Sequence, residues 1–467
     1  MPTTPPHPRR WKALALLGVA QLMLILDITV VAIAMPQMGA ELGMGREALT
    51  WVMSAYTLAF GGLLLTGGRL ADLVGPRRIV MIGLALFTAA SLAAGLVDSG
   101  TLVIVARVAQ GIGAALMSPA ALSVIVRLFQ GDELNKALGI WSALGGVGAA
   151  VGVLVGGLLT AGPGWAWVFL VNVPVGVVVL VALPAVLPRL PAGAAGARLD
   201  LVGALFGTLA FGSLIFACID AGSAGLVSTR PLAALAVSVL LFLALAGWLR
   251  GRPQPLVDPA LVGRRPVLAG SMVLLVGTGL MVSVFFLGTF FLQGAAGHNA
   301  LTTGLLFLPV ALATMVGAQT AGRAIGPLGA RAVGVAGLVL AAAGLSLTAT
   351  GSSTSLVVTA TSIGSAGLGA LFVVASVTVL SSVAPHEAGV ASGLLSTFHE
   401  LGASLGAALM SSVAASGLLL GVTAGFQRGY AVAAGIALAS AVIAGFLLPG
   451  RPAPAEDVIP EWDDVTT

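Results

Sequence analysis

The chain has 467 residues, 58% of them hydrophobic and only 8% charged, with a net charge of +4. So little charge cannot cover a water-facing surface, which excludes a soluble enzyme or signalling domain and makes lipid the main solvent. The pI near 10.0 does not point to nucleic acid, because the basic residues are scattered through short loops instead of forming one patch.

The apolar segments run unbroken over about twenty residues, where a barrel strand has about ten in alternation, so the spans are α-helices. The first, from Ala13 to Pro36, is long enough to cross and carries Asp27 at its middle, which reads as an uncleaved helix, not a signal peptide. Helices follow near 49–68, 78–97, 101–125, 137–161 and 167–187, the last two parted by Gly162-Pro163-Gly164. Next come 200–220, 231–249, 267–292, 302–322, 332–350, 356–383, 389–416 and 429–448, which makes fourteen spans in all. The residues after Pro449 are acidic and contain proline, so the tail 451–467 is expected to be disordered and cytoplasmic.

Loop charge checks this topology. With the amino terminus inside, inside segments hold seventeen of the 21 Lys and Arg residues; outside loops hold Arg46, Arg230 and Arg428, and Arg107 is left within a helix. That bias predicts an even span count with both termini cytoplasmic, and the Ala/Gly/Leu/Val richness with arginine over lysine suggests a GC-rich bacterial genome, hence a multi-pass protein of the bacterial inner (plasma) membrane. There is also an internal repeat. Gly68–Arg77 (GRLADLVGPR) aligns with Gly322–Arg331 (GRAIGPLGAR), matching at Gly68/Gly322, Arg69/Arg323, Gly75/Gly329 and Arg77/Arg331. Parallel repeats of this kind build transporter folds from two bundles around a midplane site.

GRLADLVGPRR resembles the helix-two to helix-three loop of the major facilitator superfamily. LDITVVAIAMP (from Leu26), RVAQGIGAA (from Arg107), WAWVFLVNVPVG (from Trp165) and AGVASGLLSTFHELGASLGAAL (from Ala388) resemble its fourteen-helix drug:proton antiporter branch, the QacA/EmrB type. The resemblance implies an all-α major facilitator fold. A first six-helix bundle would occupy 1–189, a two-helix insert 190–262 and a second six-helix bundle 263–450. It implies proton-coupled efflux of drug-like or antibiotic amphiphiles by a monomer whose partners are substrate, protons and the bilayer. The alternative on the same fold is a facilitator or exporter of a defined metabolite, amino acid or siderophore. Two departures stand out: Val153 occupies the place of a fifth-helix proline, and Gly326 stands where the first loop copy has Asp72.

Charge within a span is costly, so Asp27, Arg107 and Glu400 are the functional candidates. Asp27 and Arg107 lie at similar depths and can pair, either as a proton-coupling switch or as a structural ion pair. Gln110, one turn from Arg107, either joins that pair or a substrate in the cavity, or simply packs. Glu400 lies near the midplane, where it would bind a cationic substrate or a second proton, or hydrogen-bond a neighbouring helix. Gly68, Asp72, Gly75, Arg77 and Arg78 form the candidate gating loop, in which Asp72 would cap a neighbouring helix, while the arginines also serve topology. Gly148, Gly152 and Gly156, with Gly157 beside them, give helix five a small-residue stripe for sliding or for static packing. No catalytic residue, cofactor or metal is expected. Cys218 is alone, and Lys12 and Lys136, the two lysines, lie in no GxxxxGK[ST] phosphate loop.

Overall fold

The computed structural model describes residues 8–188, 199–224, 228–250, 257–298, 300–351, 353–384, 387–418 and 422–450. The expected disordered tail and the loops 189–198 and 251–256 beside the insert lie outside them, as does the side chain of Val153. Among the described residues every regular element is helical.

Each of the fourteen expected spans falls on helix. The first bundle consists of α1 (Arg10–Glu41), α2 (Arg46–Val74), α3 (Pro76–Leu96), α4 (Gly100–Leu128) and α5 (Gly131–Ala161), then α6 (Trp167–Leu170) and α7 (Asn172–Val186), which share the sixth span. The inserted pair is α8 (Leu201–Ala224) and α9 (Thr229–Leu249). A short α10 (Pro259–Gly263) opens on Asp258, whose carboxylate accepts the Ala260 N–H as a helix cap. The second bundle has α11 (Arg265–Thr289), prolonged by a π-helical turn at Phe290–Ala295, then α12 (Ala300–Ala349), α13 (Thr354–Leu380), α14 (Ala388–Leu418) and α15 (Val422–Leu447).

One boundary differs from expectation. The apolar stretch Thr302–Ala349 runs 48 residues, roughly 70 Å at the usual rise and more than twice the hydrocarbon thickness. It is two spans joined without a loop, at a kink where Gly329 has φ 84 and ψ 158. The repeat partner Gly75 also has a positive φ, 102. The in-register glycines therefore share a conformation that side-chain-bearing residues avoid, and they turn the chain at matching places. Contacts match as well. A Cβ on Gly68 would sit 2.2 Å from the Gly389 carbonyl oxygen, and one on Gly322 would sit 3.0 Å from that of Asn135. The repeat is thus one of structure.

We call the end of the bundle where α1 begins the proximal face. α2 meets α14 and α5 meets α12, so two seams join the bundles. Burial grades from centre to rim: α4 and α13 have 78% of their apolar windows enclosed, α9 only 6%. α8 packs against both α2 and α14, while α9 leans on α8 and turns its leucines outward to lipid. The insert therefore sits beside the α2–α14 seam. Replacing Gly75 or Gly329 by alanine forces a side chain into an almost glycine-only conformation. Each change is expected to cost about 1–3 kcal/mol, read as a lowered midpoint of thermal unfolding in detergent.

Candidate functional site

Asp27 and Arg107 meet inside the first bundle, both with fully enclosed side chains, and form a direct ion pair. Five helices contribute to it. Arg107 Nε donates to the Val52 carbonyl on α2 at 3.0 Å, and its Nη1 also reaches Gln110 Oε1 at 3.0 Å. Gln110 Nε2 donates to Asp27 Oδ1 at 3.1 Å and to Ser91 Oγ, on α3, at 2.8 Å. Asn172, the first residue of α7, donates its amide to the same Asp27 oxygen at 3.1 Å. The guanidinium lies over the Tyr56 ring, 4.3 Å from its centroid. Among the described residues every hydrogen-bond partner of the pair is neutral, so these groups together carry zero net charge while Asp27 is ionised. A proton on Asp27 would leave Arg107 as an uncompensated buried cation.

The helix-five stripe explains how Asp27 is aimed. A Cβ on Gly148 would lie 2.5 Å from Ile25, and one on Gly152 would lie 1.8 Å from Thr29 Oγ1. Ile25 and Thr29 share one face of α1, so α5 seats on that face and Asp27 turns towards α4. Gly156 is buried on the same stripe. Gly157 is different. Nothing lies within 4 Å of a Cβ built on it, because one residue further round the helix turns it off the stripe, so it does not share the packing role expected of it.

The loop residues form a second site at the proximal face. Asp72 is buried; its Oδ1 accepts the Gly389 N–H and its Oδ2 the Val390 N–H, each at 2.9 Å. These are first-turn amides of α14, so Asp72 caps a helix of the opposite bundle. Arg127 at the end of α4 donates to the same carboxylate at 3.2 Å. Gly68 permits the backbone contact beside it, and Arg77 donates to the Pro184 carbonyl at 3.1 Å. Arg78 is exposed.

Glu400 stands apart from both sites. It is half-buried on α14, its Cβ 3.7 Å from where a Cβ on Gly61 of α2 would lie, and no hydrogen bond or ion pair reaches it among the described residues. The Tyr56 hydroxyl is buried without a hydrogen-bond partner among the described residues. His399 turns away and meets Thr278 Oγ1 at 3.1 Å. Sequence reading overlooked Asn172, Ser91 and Tyr56. The available signal was an asparagine in a very apolar span, and one of two tyrosines in the chain.

The sequence profile of the Major Facilitator Superfamily matches residues 17–407. The chain belongs to this superfamily. It is 37% identical to the puromycin resistance protein of Streptomyces alboniger, over 97% of this chain and 94% of that one. It is 36% identical to the cephamycin export protein of Amycolatopsis lactamdurans, over 87% and 85%. It is 34% identical to the lincomycin resistance protein of Streptomyces lincolnensis, over 93% and 90%. Its fold resembles a human organic anion transporter (TM-score 0.69, 16% identity, 94% of this chain and 100% of that chain). It also resembles the proton:xylose symporter XylE (TM-score 0.67, 14% identity, 94% and 96%). This is a multi-pass bacterial membrane transporter.

Within this facilitator, removing one partner of the buried pair should cost more than removing both. Arg107→Leu is expected to destabilise the protein by about 3–5 kcal/mol, because it strands the Asp27 charge. Adding Asp27→Leu should recover much of that loss. A double-mutant cycle of unfolding midpoints in detergent measures the coupling.

Proposed function

We propose that the protein exports bulky amphiphilic, antibiotic-like molecules across the bacterial plasma membrane, one alternating-access cycle being driven by proton entry. Relatives named for antibiotic resistance and export, aligned over nearly the whole chain, support the cargo class. The observation that carries the coupling is the Asp27–Arg107 pair with neutral partners alone around it.

Ionised Asp27 holds Arg107 against α2 and α4. Protonation cancels half of that pair, and Arg107 must then find new partners. Since its bonds reach α1, α2 and α4 together, the change bears directly on how α1 and α2 sit against the rest of the bundle. The bias of arginine and lysine towards one side supports cytoplasmic termini, which makes the proximal face the cytoplasmic one. Asp72 then bonds the bundles together on the cytoplasmic side, the arrangement of an outward-facing carrier. In the proposed cycle the proton is taken up from outside, and opening the cytoplasmic side requires α14 to leave the Asp72 cap. One chain supplies both bundles and the Asp72 cap between them, which supports a monomer as the working unit.

Glu400 supplies cargo preference. A carboxylate with no hydrogen bond or ion pair among the described residues, near the midplane and beside α2, suits the positive group of a cationic amphiphile.

Two transport measurements follow. In inverted vesicles with an imposed pH gradient, Asp27→Asn is expected to reduce gradient-driven uptake to the level of vesicles lacking the protein, at unchanged membrane abundance. Full uptake by that variant would refute the coupling role. Glu400→Gln is expected to lose cationic cargo and keep neutral cargo; an equal loss of both contradicts its role in selection.

A further inference from the structure

The two bundles meet at two seams related by the internal repeat, and the seams differ in charge. At the α2–α14 seam the Asp72 carboxylate supplies the anion that receives the α14 amides and Arg127. At the α5–α12 seam the backbones approach in the same manner, with a Cβ on Gly139 falling 3.9 Å from Gly322 Cα. Gly326 stands there in place of an acid.

A groove of about 150 Å³ opens over this second seam. Lys136 of α5 and Arg323 of α12 flank it, and Trp11 and Gln319 complete its polar rim. Among the described residues no acidic side chain lines it. The neighbouring carboxylate, Glu133, is already held by both Arg10 nitrogens at 2.8 and 2.9 Å. Lys136 and Arg323 make no hydrogen bond or ion pair among the described residues. Two cations with no hydrogen bond or ion pair among the described residues therefore line the same groove at this seam.

The groove also has an apolar exit. Leu312, Val316, Gln319 and Arg323 follow one another at four-, three- and four-residue steps, so they lie along one face of α12. Leu312 and Val316 are exposed, 54% and 55%, as is Ile140 one turn beyond Lys136 on α5. All three lie deeper along their helices than the cations. An indole and paired cations at the rim, with aliphatic side chains leading inward, match an interfacial headgroup with its acyl chains below.

We propose that this groove binds the phosphodiester of an anionic phospholipid from the proximal leaflet. The headgroup bridges Lys136 and Arg323 and closes the α5–α12 seam as Asp72 closes the other. The site rests on the membrane setting of the chain and on neither its cargo nor its coupling ion.

The test is native mass spectrometry of the detergent-purified full chain with phosphatidylglycerol and phosphatidylcholine in equal amounts. Two cations near an anionic group predict a preference for phosphatidylglycerol on the order of thirty-fold. K136Q/R323Q is expected to abolish that preference, while R250Q, which removes a charge elsewhere on the same face, keeps it. Equal retention of the two lipids by the wild-type chain overturns the proposal, and so does a preference that survives K136Q/R323Q. Displacement of phosphatidylglycerol by inorganic phosphate also overturns it, since that marks a site for free anions. Should K136Q/R323Q fail to fold, the wild-type comparison and the single variants K136Q and R323Q decide. The measurement needs no cargo and no proton gradient, so failure of the transport reading leaves it intact.

Discussion

An aspartate and an arginine enclosed in a membrane bundle each lose several kcal/mol of hydration, and the first bundle is arranged around offsetting that loss. Five helices place a carbonyl, two amides, a hydroxyl and an aromatic face around one ion pair. Charge-assisted bonds of this kind hold helix positions more tightly than apolar contact does, because lipid tails compete equally well for apolar surface. The same expense makes the pair responsive. In the proposed coupling a single proton on Asp27 would convert a neutral cluster into a buried cation, and the helices held by the pair would have to answer to it.

Close backbone contacts link the cluster to a seam between the bundles. α5 presses on α1 through Gly148 and Gly152, on the turns that flank Asp27. Farther along, the same helix meets α12 at Gly139 and Gly322, one of the two seams between bundles. A shift of α1 is therefore mechanically adjacent to a seam, with a single helix between them. At the other seam the Asp72 cap gives the closed proximal face a definite set of bonds to break. In the proposed cycle an ion pair that gains or loses one proton and a cap that holds or releases α14 would together supply two discrete states, which smooth apolar packing would not.

Much of this was legible in the residues. Hydropathy integrates over some twenty positions, so the spans and their parity survived errors at any single boundary, and the loop arginines gave an independent check. Continuity of α12 was not legible, since Gly326-Pro327-Leu328-Gly329 reads as a loop when the kink is in fact made by one backbone conformation at Gly329. The five-residue α10 was too short for any periodicity to reveal. Asp27 and Arg107 stood out because charge is rare in hydrocarbon. Asn172, Ser91 and Tyr56 did not, because neutral polar residues are ordinary in membrane helices and only packing shows which of them face the pair. Gly157 failed for the converse reason: adjacency in sequence rotates a residue off a helical stripe.

Proton occupancy of Asp27 as the switch is the central claim, and it is open to measurement without transport. Purified protein in weakly buffered detergent solution, loaded at low pH, can be given cargo while the solution pH is followed. If cargo and proton select opposite states of the pair, binding releases protons from the wild type and none from Asp27→Asn that still binds. Silent binding by the wild type, or equal release by that variant, would contradict the account.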